Sequence, residues 1–322
     1  MKIIVTGGAG FIGSALVWRL NEVGYEDIVV VDRHDDSGKE RNLAALKFSD
    51  FVDADEFISD LSKYKDAKVI LHMGACSSTT ATDREYMMRN NYQYTADLAE
   101  FSLDNDIRFI YASSAATYGD GSAGMEDGTE SLDRLRPLNL YGESKHLLDK
   151  HAAEKGWFDK IVGIKYFNVF GPNENHKGDM RSLVNKAFDQ ITQTGKLQLF
   201  KSADPAYADG EFGRDFVYVK DAVEMTLFFM ENSFGGLFNI GSGHENTWNA
   251  LAAAIFKALN REPNVEFIDM PVGLRDKYQY STRADLSRIR NAGYTRDTTP
   301  LAGTVAEYVQ KYLVPGKRLG EV

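Results

Sequence analysis

The 322-residue sequence predicts an α/β protein, a doubly wound parallel sheet with a smaller mixed α/β domain packed on it. Three observations carry that expectation. Short apolar runs alternate with amphipathic stretches, a glycine loop joins the first run to the first helix, and the alternation fades after about Asn168. Strand–helix–strand alternation implies parallel strands with helices covering both faces. The expected division is 1–167 for the sheet domain and mainly 168–322 for the smaller one, with some later segments returning to the sheet.

Residues 2–6 form a short apolar run bounded by glycines, which reads as a buried strand. Phe11, Ile12, Ala15, Leu16, Leu20 and Val23 then recur at helical spacing, and Gly24 stops the helix. Residues 28–31, 69–71 and 109–112 read as the next strands, with a helix over 86–101 between the last two. A helix over 144–153 and a strand over 161–166 complete this half. Beyond Asn168, Gly171, Pro172, Gly178 and Gly195 break the pattern, and 201–213 has little periodicity. Leu251, Ile255 and Leu259 stand four apart behind Asn246-Thr247, a capped helix. The acidic loop 124–130 and the tail 315–322 read as solvated surface.

Composition excludes several function classes. Thirty-seven Lys and Arg against 47 Asp and Glu leave a net charge of −10. That balance gives no overall field for nucleic acid or an anionic membrane. No apolar run reaches bilayer length, so a cytoplasmic chain is expected. The single cysteine, Cys76, rules out an internal disulfide and a cysteine-rich zinc site. The six histidines form no ligand-spaced cluster, so no metal is expected.

The loop Gly7-Gly8-Ala9-Gly10-Phe11-Ile12-Gly13 follows a strand and opens an amphipathic helix. Glycines there permit a tight turn and let backbone N–H groups approach a pyrophosphate at the helix N-terminus. Asp32 stands nineteen positions after Gly13, at the end of the second strand, where a carboxylate accepts from a ribose hydroxyl. Together these predict a Rossmann-type dinucleotide site on Gly7, Gly10, Phe11, Ile12, Gly13 and Asp32. Asp32 favours NAD, whereas Arg33, Lys39 and Arg41 in the following loop offer cations to the 2′-phosphate of NADP. NADP is the cofactor expected, with NAD the alternative.

Tyr141-Gly142-Glu143-Ser144-Lys145 puts a tyrosine and a lysine on one helix face, and Ser114 lies where a strand ends. Oxidising a carbinol needs a base that works near neutral pH. Lowering a phenol by about three pH units takes roughly 4 kcal/mol. One cation at about 4 Å, at an effective dielectric near 20, supplies that order. Lys145 can be that cation, Tyr141 the base and Ser114 the hydrogen-bond donor to the reacting oxygen.

These pieces resemble the extended short-chain dehydrogenase/reductase family, which includes nucleotide-sugar epimerases and dehydratases. The resemblance implies a catalytic Ser114–Tyr141–Lys145 triad. Dehydratases of that family carry an acidic pair just after the strand serine. Ala115 and Ala116 stand there, which disfavours dehydration.

Longer stretches are similar to its ADP-L-glycero-D-manno-heptose 6-epimerase branch: His72 to Thr80, Tyr86 to Tyr94, Tyr166 to Pro172 with His176-Lys177-Gly178, and Arg214 to Val219. That resemblance implies an ADP-heptose substrate of lipopolysaccharide inner-core synthesis, transient oxidation at C6, and a homo-oligomer, usually a pentamer. It makes Lys177 a second acid/base group. It implies cofactor contacts at Met73, Gly74, Ala75, Cys76, Ser77, Asn90 and Val169, and at Tyr141, Lys145 and Lys177. Substrate contacts are implied at Ser114, Asn168, Asp179, Lys186, Arg214 and Tyr278, and along Phe200, Lys201, Ser202 and Ala203. Met73, Ala54, Asp179 and Lys186 depart from the residues usual in that branch. The alternatives are another nucleotide-sugar epimerase or reductase, such as a UDP-hexose 4-epimerase, and a non-catalytic NADP-sensing protein.

Overall fold

Near its start the chain has four β-branched residues, Ile3–Thr6, all buried, and these form β1, an interior strand of the main sheet. A β-branched run buried on both faces is what a parallel sheet requires. The computed structural model describes residues 1–35, 37–271, 273 and 278–321. Among them the strands β1, β2 (Ile28–Asp32), β3 (Asp50–Asp53), β4 (Val69–His72), β5 (Arg108–Ser114), β6 (Val162–Tyr166) and β10 (Gly236–Ile240) form one parallel sheet. Its order is β10-β6-β5-β4-β1-β2-β3. The predicted doubly wound class is therefore the observed one.

Strand order reverses between β1 and β4, which opens a crevice at their carboxyl ends. Helices α1 (Phe11–Glu22) and α7 (Val219–Phe228) pack together on one face over Val5, Leu16, Val30 and Val223. The other face is covered by the helical stretch after β4 and by α5 (Leu140–Glu154), over Ile4, Phe109, Leu98 and Leu148. The stretch expected as one helix over 86–101 is divided. After the short α2 (Ala54–Ser59) that follows β3, the single turn α3 (Arg84–Met87) passes into a π-helical segment Met88–Gln93 and then α4 (Tyr94–Asp104).

The second half contributes two small sheets. β7 (Asn168–Phe170) pairs parallel with β9 (Gly213–Tyr218), which pairs antiparallel with β11 (Glu245–Thr247). β8 (Leu197–Phe200) pairs with β12 (Val265–Ile268). Helices α6 (Leu183–Thr194) and α8 (Trp248–Ala258) share a core with them through Val184, Ile191, Leu251 and Ile255. The predicted α8 cap is met by Thr247, whose hydroxyl accepts from Ala250 N–H at 3.1 Å.

Two surface expectations are corrected. Leu319 in the tail is buried, and its N–H donates to Asn173 Oδ1 at 3.0 Å. In the loop 124–130, Asp127 is buried and accepts from Asn239 N–H at 2.7 Å, which ties the loop to β10. No helix of the described residues is long and apolar enough to cross a membrane.

Candidate active site

The glycine loop is packed too tightly for a side chain at Gly7, Gly8 or Gly13. A Cβ on Gly13 would lie 2.0 Å from Gly7 O, and one on Gly7 would lie 2.6 Å from Gly74 N. Gly7 also holds φ +64°. The loops after β1 and β4 therefore touch at the sheet's reversal point. α1 starts at Gly10 without a side-chain cap, which leaves its first N–H groups for an anion.

At the end of β2, Asp32 accepts from Ala9 N–H at 2.9 Å and Arg33 N–H at 2.8 Å, and Lys39 Nζ is 3.0 Å from its Oδ1. Lys39 also pairs with Asp35. It faces the cleft, whereas Arg33 pairs with Asp55 at 3.0 Å and is not on the cleft wall.

Ser114 ends β5 and caps the turn Ala115–Tyr118, its Oγ accepting from Ala116 N–H at 3.1 Å. α5 begins against that turn. Asn139 Oδ1 caps it by accepting from Gly142 N–H at 2.8 Å, and a Cβ on Gly142 would meet Ala116 O at 2.7 Å. This close approach sets Tyr141 beside Ser114. Burial pushes the Tyr141 phenol above its ordinary value, the Ser114 hydrogen bond draws it back, and Cys76 and Asp149 push it further up. The expected acidification is thus not supplied by the protein alone, because burial outweighs Ser114.

One turn on, Lys145 is fully buried, and its Nζ has no hydrogen-bond partner. Burial brings its ammonium from 10.5 down to about 8, against the pull of Asp149. A buried cation on a cleft wall, with its donors unspent, fits the vicinal hydroxyls of a cofactor ribose.

From the second half, Lys177 Nζ stands 5.4 Å from the Phe11 ring centroid at the start of α1. Burial lowers Lys177, and Glu174 opposes. His176 beside it is lowered to about 4 by burial, Lys177 and Lys39, so it is neutral at pH 7. Arg214 on β9 is buried, with its guanidinium 4.9 Å from the Tyr278 ring centroid and 5.9 Å from that of Trp248.

These elements enclose one cleft of about 2050 Å³. Its wall holds the glycine loop, Asp32, Lys39, Met73 to Ser77, Ser114, Tyr141, Lys145, Asn168, Val169, Lys177, Lys186, Phe200, Arg214 and Tyr278. Arg33, Asn90, Asp179, Lys201, Ser202 and Ala203 are not on that wall. Lys201 pairs with Asp269 at 3.1 Å, and Ser202 Oγ donates to Asp204 O at 2.7 Å. Asn90 donates to Tyr86 O at 2.8 Å.

Its neighbour Asn91, not singled out in the sequence, is buried and clamps Cys76. It accepts from Cys76 N–H at 2.8 Å and donates to Cys76 O at 3.0 Å and Ser144 Oγ at 3.0 Å. Phe212 and Trp248, also unread, line the cleft beside Arg214, as does Phe216.

The glycine-loop cradle and the Ser–Tyr–Lys constellation open on the same cleft, and the chain belongs to the NAD dependent epimerase/dehydratase family, whose model matches residues 3–241. Among its relatives, the ADP-L-glycero-D-manno-heptose-6-epimerase of Nitratidesulfovibrio vulgaris is 51% identical over 96% of this chain and 97% of that one. The protein of the same name in Fusobacterium nucleatum is 42% identical over 97% and 98%. The crystal structure of Helicobacter pylori ADP-L-glycero-D-manno-heptose-6-epimerase superposes with a TM-score of 0.82 at 26% identity, covering 96% of this chain and 95% of that one. The family resemblance drawn from the motifs holds.

Proposed function

We propose that this chain is an isomerase that inverts C6 of an ADP-activated heptose, with NADP as its resident cofactor. The relatives named above carry that activity in their names, at 51% and 42% identity over nearly the whole chain. The observation that carries the chemistry is the partnerless Lys145 ammonium, one helical turn from Tyr141, which is hydrogen-bonded to Ser114.

An unactivated carbinol carbon cannot be inverted by deprotonation alone, since no adjacent carbonyl holds the negative charge. A bound nicotinamide would supply a reversible hydride acceptor for C6, and inversion requires the C6 ketone to turn its opposite face to that acceptor before hydride is restored. Tyr141 takes the hydroxyl proton, Ser114 holds the reacting oxygen, and Lys145 binds the ribose and favours the phenolate. Lys177 serves the opposite proton transfer, helped by the burial that lowers it. Arg214 suits a pyrophosphate through its fork of donors, and Asn168, Phe200, Lys186 and Tyr278 bracket the sugar nucleotide.

NADP is favoured over NAD because Lys39 Nζ, 3.0 Å from Asp32 on the cleft wall, places a cation where Asp32 alone would repel a 2′-phosphate. Residues 1–167 serve mainly the cofactor and 168–322 mainly the substrate. The assignment also implies a cytoplasmic homo-oligomer, a pentamer by resemblance, that supplies lipopolysaccharide inner-core precursors.

The test is epimerisation of ADP-heptose deuterated at C6, followed by NMR, with UDP-galactose as the competing substrate. Retained deuterium at the inverted carbon, slowed turnover and an inactive Tyr141→Phe that still binds NADP are expected. Solvent hydrogen at C6, or turnover of UDP-galactose alone, refutes the assignment.

A further inference from the structure

The helix that carries Tyr141 and Lys145 continues to a third residue on the same face, Asp149, at the next i+4 step. Asp149 is fully buried and carries no substrate-facing role. Its Oδ1 accepts from the Tyr111 hydroxyl at 2.7 Å, and its Oδ2 from Ser113 Oγ at 2.8 Å, both on β5. Lys165 Nζ, on β6 and equally buried, stands 2.9 Å from Oδ2. The same ammonium donates to Thr117 Oγ1 at 2.6 Å and sits 4.8 Å from the Tyr118 ring centroid. Thr117 Oγ1 in turn donates to Ser114 O at 2.8 Å. A continuous chain of polar contacts thus runs from the Tyr141/Lys145 helix, through β5 and β6, to the backbone of Ser114.

We propose that the buried Asp149–Lys165 pair is a positioning device for the reaction: it locks the catalytic helix to the turn bearing Ser114, and Lys165 offsets part of the negative field that Asp149 places on Tyr141 and Lys145. A buried, fully hydrogen-bonded pair fixes one arrangement of the elements it joins, and breaking it leaves an uncompensated charge. The direction of the field is set by the surroundings. Asp149 acts to raise both Tyr141 and Lys145. The other groups about this cluster are Tyr111 and Tyr118, both held protonated by burial, His146 on the same helix, and Cys76 beside Tyr141. His72 on β4 feels Lys145 and is held neutral by burial. Among these described neighbours, Lys165 is the cation bonded to Asp149.

The proposal rests on Tyr141 as the proton-handling group. Tyr141→Phe tests that separately, because an acid limb of kcat that persists in Tyr141→Phe belongs to another group. The proposal itself is tested by the pH profile of kcat for ADP-heptose epimerisation in Asp149→Asn, Lys165→Met and the double variant, all NADP-loaded. Asp149→Asn should move the acid limb down by about one pH unit, Lys165→Met should move it up, and the double variant should return it to near the wild-type position. KM should change little, since neither side chain reaches the cleft wall. Asp149→Asn is nearly isosteric and decides the matter if Lys165→Met does not fold. An unmoved or raised limb in Asp149→Asn, or displacement in one direction by both single variants, overturns the proposal, whatever the melting temperatures do.

Discussion

Replacing Lys145 with Met should make the cofactor-free protein more stable while abolishing its turnover. The ammonium is fully buried without a hydrogen-bond partner, and burial lowers it from 10.5 to about 8. At 1.36 kcal/mol per pH unit, that difference corresponds to about 3 kcal/mol. The folded-state value lies below the unfolded one, so folding disfavours the charged form. The penalty is full below about pH 8 and fades as pH rises toward 10.5. Methionine fills similar volume without a charge to desolvate.

At pH 7, Lys145→Met should therefore melt about 6 °C higher than the wild type, taking roughly 2 °C per kcal/mol for a chain of this size. At about pH 10 the gain should shrink to under about 1 kcal/mol. Saturating NADP should reverse the order, because the wild-type ammonium then gains ribose partners. Scanning calorimetry of stripped protein at the two pH values, with and without cofactor, measures all three. A variant less stable than the wild type at pH 7 without cofactor would refute the reasoning, as would a gain identical at both pH values.

Lys177→Met should lower kcat by at least about 10²-fold with little change in KM, as removal of a proton-transfer group does. Steady-state kinetics decides, and a raised KM at unchanged kcat would reassign Lys177 to phosphate binding above Phe11. Gly13→Ala should lose NADP affinity by more than about tenfold, because its Cβ would lie 2.0 Å from Gly7 O and must force the cradle open. Isothermal titration reads this directly, and unchanged affinity would show that the loop is not the cofactor cradle.

The first half of the fold and the core of the site were legible because both are local in sequence. The glycine loop, the β-branched runs and the Tyr–Lys spacing each fit within a few residues, and β1, β2, β4, β5 and β6 fall where the apolar runs predict. β3 escaped because Asp50 and Asp53 flank only two apolar residues on a half-covered edge. The strands of the second half escaped because three to six residues with mixed polarity give no usable period.

Asn90 came from the family resemblance, and no local pattern marks Asn91, whose clamp on Cys76 joins segments fifteen residues apart. The buried Asp127 and Leu319 depend on partners more than a hundred residues away, at Asn239 and Asn173, and no local pattern encodes such distances. Lys39 and Arg33 read alike in sequence, and what separates them is the pairing of Arg33 with Asp55 and the Tyr86 hydroxyl, both distant in sequence.

The position of β10 bears on how the polypeptide is made. β6 is finished at Tyr166, but its outer neighbour in the sheet begins only at Gly236. While the ribosome produces the intervening seventy or so residues, at about 5–20 per second, the backbone of Val162–Tyr166 has an unpaired flank for several seconds. Such a bare margin is sticky toward other strands. Nascent chains halted between those two points should therefore engage chaperones or aggregate, whereas chains that have released Ile240 should not.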